Sequence, residues 1–122
     1  MNRTELVRRM VLNEMSDDYE NVDQIILPNV ARDGAKLGLV IERSEIVTAL
    51  AGLVKDGLAK AYNLWQSNEP LEGMPRIDLI DEELRIYFYI TKQGMDQHLS
   101  DDTWWPFDDD GELKQHWRLD PS

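Results

Sequence analysis

The chain has 122 residues, 42% of them hydrophobic and 30% charged, with a formal net charge of −11. That length and balance describe one globular domain with a buried core, not a disordered chain. With no cysteine, disulfides, zinc knuckles and thiol nucleophiles are excluded.

The longest run free of charge and histidine is 46–54, nine residues, far below the ~20 needed to cross a bilayer. No secretory signal follows Arg3, Arg8 and Arg9, because no apolar stretch lies behind them. The expectation is a cytoplasmic protein with no membrane partner. The charge is uneven. Residues 31–60 carry five Lys/Arg against four Asp/Glu, residues 69–83 one against six, and residues 97–122 two against seven.

In chain order, Leu6, Val7, Met10 and Val11 form one apolar face of a helix over 4–15. "SDDYEN" breaks it and offers caps for a second helix. Val22, Ile25, Ile26, Asn29 and Val30 extend that helix over about 18–36, with Pro28 kinking or splitting it. In "LVIERSEIVTALAGLVKDG" a third helix buries Ile46, Val47, Leu50, Leu53 and Val54, and Gly57 ends it in the left-handed conformation. "LAKAYNLW" (58–65) reads as a strand, with Leu58, Tyr62 and Leu64 toward one face. "LRIYFYIT" (84–91) alternates Leu84, Ile86, Phe88 and Ile90 against Arg85, Tyr87 and Tyr89, the pattern of a half-buried strand. The two strands would pair antiparallel across an eighteen-residue connection rich in breakers. "TKQGMDQHL" opens a short helix capped by Thr91.

Two stretches carry a resemblance. "EIVTALAGLVKDGLAKAY" resembles the third helix and first wing strand of the winged helix-turn-helix family, and "YFYITKQGMDQHL" resembles its closing wing strand and last helix. The match runs over roughly residues 4–99. It implies an α+β winged-helix fold over 1–99, with a three-helix core, an antiparallel hairpin wing and a short C-terminal helix. An acidic aromatic extension, 100–122, follows. The family consists mostly of transcriptional regulators whose third helix enters the major groove of DNA, and the same scaffold also serves as a protein-binding module. The resemblance further implies a homodimer.

Double-stranded DNA is therefore the first expected partner. Ser44 and Thr48 would face the bases, and Arg32, Lys36, Arg43, Lys55 and Lys60 would meet phosphates. Five such contacts would give a log–log salt slope of roughly −4.5. Gly52 would permit close approach, and Glu45 reads as a solvated first-turn residue. Against this stands "NEPLEGMPRIDLIDEE", the connection at the wing position, whose one cation is Arg76. The alternative is therefore a winged-helix interaction module whose acidic surface meets a basic protein and binds no DNA.

The tail holds Trp104, Trp105, Phe107 and Trp117. These rings would fold back to complete the core or would serve a dimer or docking contact. The tail is also a candidate internal competitor for DNA, and a pocket beneath its tryptophans a candidate small-molecule sensor. "FDDDGE" fails as a calcium loop, since alignment on Gly111 puts Pro106 first and Trp117 twelfth. His98 and His116 stand eighteen residues apart without a ligand set, and no glycine-rich phosphate loop or nucleophile elbow occurs. No enzyme activity, cofactor or metal is expected.

Overall fold

A computed structural model describes residues 1–77, 80 and 84–121. Helix α1 spans Arg3–Glu14, α2 Leu27–Ala35, α3 Arg43–Lys55 and α4 Lys92–Ser100, and strands β1 (Ala59–Asn63) and β2 (Ile86–Ile90) lie between α3 and α4. The architecture is α+β, with a two-stranded antiparallel sheet.

Each boundary has a local cause. Asn2 caps α1 by accepting from the Glu5 amide, which satisfies one of the first-turn donors no helix can pair internally. Asn21 does the same for a π-helical turn over Val22–Ile26, accepting from the Asp23 and Gln24 amides. That turn runs straight into α2, whose second residue is Pro28; the proline gives no N–H back to the turn before it, and the break expected there takes the form of this change from π to α winding. The second helix therefore begins after residue 20, later than its apolar spacing predicts. Glu20 is extended instead, exchanging two 2.9 Å backbone hydrogen bonds with Phe88. At the end of α3, Gly57 has φ +77°, and the amides of Gly57 and Leu58 return to the carbonyls of Val54 and Leu53. This glycine-terminated motif closes the helix.

In the sheet Ala59 faces Ile90, Ala61 faces Phe88 and Tyr62 faces Tyr87. The buried face of β1 is Ala59 and Ala61; Tyr62 turns to the other side, where Tyr19 packs edge-on against Tyr62 and Tyr89 at 5.0 and 4.6 Å. The expected grouping of Leu58 with Tyr62 fails because Leu58 precedes the ladder, and its carbonyl accepts from Thr91. Asn63 ends β1 early, its backbone and side-chain oxygens accepting from Gln66 and Trp65, a turn asparagine favours.

The core gathers Leu6, Met10 and Val11 of α1, Ile46, Leu50 and Leu53 of α3, and Phe88 of β2. Helix α4 is tied on by Thr91, whose hydroxyl donates to the Gly57 carbonyl and accepts from the Gly94 amide. The tail packs on this body. Trp104 is 5% exposed and Phe107 6%, and the Trp117 indole donates to the Trp104 carbonyl at 2.9 Å. The Met1 ammonium meets Asp120 at 3.2 Å, so the two ends of the chain lie together. Among the described residues no helix is long and apolar enough to cross a membrane.

Candidate functional site

Helix α3 buries Ile46, Leu50 and Leu53. At 100° per residue this turns Ser44, Thr48 and Lys55 to the opposite side, and all three are exposed. Glu45 and Gly52 sit at the edge of that side nearest α1, Gly52 one turn from Thr48. They turn toward α1, where Arg3 grips Glu45 with two hydrogen bonds of 3.0 and 2.7 Å and also donates to the Val40 carbonyl. Glu45 is thus a bridge between helices rather than a solvated first-turn acid. A Cβ on Gly52 would meet the Arg8 guanidinium Nη1 at 3.2 Å, so the group that approaches closely here is Arg8 of α1. Arg8 in turn donates through Nη2 to Asp56 at 2.7 Å.

Between α1 and α3 these contacts leave a groove of about 400 Å³, lined by Thr4, Val7, Arg8, Ser44, Glu45, Thr48, Ala49 and Gly52. Its floor is the buried Val7. Neither the ion pairs across α1 and α3 nor the groove is legible from helical periodicity, which says which face is apolar but not which neighbour covers it.

The cations expected to meet phosphate have separate fates. Arg43 is held on Asp23 at 2.7 and 3.2 Å and donates to the Ile77 carbonyl at 2.7 Å; the side chains of this pair are only 21% and 12% exposed. Arg32 and Lys36 flank one carboxylate, Asp33, at 3.5 and 3.9 Å. The Lys36 ammonium also lies 5.4 Å from the centre of the Phe107 ring, a cation–π contact that links α2 to the tail. Lys55 and Lys60 are exposed and make no ion pair among the described residues. Four of the six acids of the 69–83 stretch (Asp78, Asp81, Glu82 and Glu83) lie outside the described residues.

The docking candidates of the tail largely cover one another. Trp105 packs edge-on against Trp104 at 5.3 Å and against Phe107 at 5.7 Å, while Trp117 and Leu119 pack on the core.

One acidic patch is closed by no ion pair, although Asn29 donates to Glu14 at 3.1 Å and Arg32 lies near enough to act on that carboxylate. Glu14, Asp17, Asp18 and Glu20 make no ion pair among the described residues. Burial, then repulsion from Asp18, Asp17 and Glu14, holds the Glu20 carboxyl above its ordinary value; burial does the same to Glu14, partly offset by the Asn29 hydrogen bond and by Arg32, with Asp33 and Asp17 adding to the rise. No group of three or more metal-binding side chains occurs among the described residues. Comparison with protein-family models, curated proteins and solved structures finds no match for this chain.

Proposed function

We propose that the chain is a winged-helix domain that works by contact with a basic protein partner rather than by reading DNA. The helix order and the hairpin between α3 and α4 support the fold type, and the extended Glu20 pairing with Phe88 at the sheet edge fits it. The observation that carries the function is the capture of Arg43. The cation at the start of the third helix is committed to Asp23 and the Ile77 carbonyl, and breaking a part-buried charge pair to reach phosphate is costly. With Arg32 and Lys36 sharing Asp33, Lys55 is left on the exposed face of α3. A charge of −11 repels a polyanion and attracts a polycation.

Within this reading the patch of Glu14, Asp17, Asp18 and Glu20 is the contact. A fluorescent nonaarginine peptide serves as the probe. Asp17→Asn with Asp18→Asn weakens its binding about fivefold, taking roughly 0.5 kcal/mol per exposed charge pair. Neutralising Asp108, Asp109 and Asp110 together changes it less than about twofold. The reverse order overturns the assignment.

One observation favours the DNA reading. Ser44, Thr48 and Lys55 form an unobstructed exposed row on α3, with side chains able to touch a thymine methyl and backbone phosphates. In that case Lys55→Glu abolishes binding to duplex.

A further inference from the structure

The geometry points to the groove between α1 and α3 as a binding site for a small, uncharged, mainly apolar molecule carrying one acceptor oxygen. Four features carry this. The groove, at about 400 Å³, falls within the range of small-molecule sites and is too small for a protein element. Its rim charges already cancel in pairs, Arg3 on Glu45 and Arg8 on Asp56, so a charged ligand would find no unmatched partner. The hydroxyls of Thr4, Ser44 and Thr48 make no hydrogen bond among the described residues, and Arg8 is tied to Asp56 through Nη2, with Nη1 at the groove beside Gly52.

Gly52 is the fourth. It lies inside a helix, where glycine is unfavourable, yet its φ is not in the left-handed region, and a Cβ there would touch only the end of a flexible arginine. Nothing in the backbone demands glycine; what its missing side chain does is open the groove. An aryl ring would lie over Val7 and Ala49 with its oxygen accepting from Arg8 Nη1. The site is separate from the acidic patch, so it stands or falls independently of the partner proposed above.

The test uses 2-naphthol as the probe against the full ¹⁵N-labelled chain, with 2-naphthoate and the ammonium form of 2-(aminomethyl)naphthalene as charged counterparts. The expected result is saturable binding with shift changes confined to residues 4–8 and 44–52. The charged probes bind about tenfold more weakly. Gly52→Val removes binding, as does Thr48→Leu, an exposed position that reports even if the glycine variant fails to fold. Arg8→Met weakens it severalfold. The inference is overturned by absent saturation, by shifts that map to the tail tryptophans, by equal binding of the charged probes, or by a folded groove-filling variant that binds normally.

Discussion

Two glycines inside helices illustrate how a single atom separates packing from opportunity. A Cβ on Gly94 would collide with the Leu58 carbonyl and crowd Ile90, both part of the frame that holds α4 to the sheet. Gly94→Ala therefore destabilises by about 2 kcal/mol, an overpacking cost. At Gly52 the only neighbour is the movable Arg8 guanidinium, so Gly52→Ala is neutral or stabilising by about 0.5 kcal/mol, because alanine is the better helix former. Urea denaturation of the two variants checks the contrast. Arg43 belongs to the same scale. Arg43→Ala removes its bonds to Asp23 and to the Ile77 carbonyl and takes a charged partner from a largely buried carboxylate, costing about 2 kcal/mol. A surface arginine waiting for phosphate would cost almost nothing to remove, so stability alone distinguishes the two roles.

At the scale of elements, the tail is the segment that changes the account most. Trp104 is buried among the core residues and holds Trp117 through its carbonyl, so Trp104→Ala costs about 3 kcal/mol by cavity formation. His98 of α4 lies in the same region, and burial followed by the nearby Arg9 holds its pKa below the ordinary 6.5. A group with a lowered pKa contributes stability above its unfolded value and loses it as pH falls through the folded one. His98→Gln thus flattens the loss of stability as pH falls below about 6.5, relative to the parent, measured by denaturation across that acid range. The comparison must be with the parent, because Glu14 and Glu20, with raised values, gain stability over the acid range.

The same elements show what the chain discloses in advance. The stripe of α3, the glycine after it, the alternation of β2 and the Thr91 cap are local patterns that appear where periodicity and capping chemistry put them, except that β2 begins only at Ile86, with Leu84 at φ +53° outside the strand. The start of the second helix was not legible, because Glu20 is drawn into the sheet by Phe88, 68 positions away. Which face of β1 is buried was hidden for a related reason: two alanines fill it, and the larger Leu58 lies outside the ladder. For the candidate site the exposed row of Ser44, Thr48 and Lys55 could be read from helical geometry. The fates of Arg43 and Glu45 could not, since their partners Asp23 and Arg3 sit 20 and 42 positions away.

For the whole molecule, charge decides. A chain at −11 whose third helix presents one lysine has little with which to displace counterions from DNA, and release of those ions supplies most of non-specific affinity. Any binding to a cationic peptide should weaken with salt, as screening shortens the reach of the acidic patch. The most direct measurement is fluorescence anisotropy of a labelled random-sequence duplex titrated with the intact protein at about 50 mM salt, where electrostatic binding is strongest. The account predicts no change in anisotropy up to about 100 µM protein, far above the concentrations at which non-specific DNA binders saturate at low salt. A saturable rise that disappears on Lys55→Glu would contradict it and return the third helix to the groove of DNA.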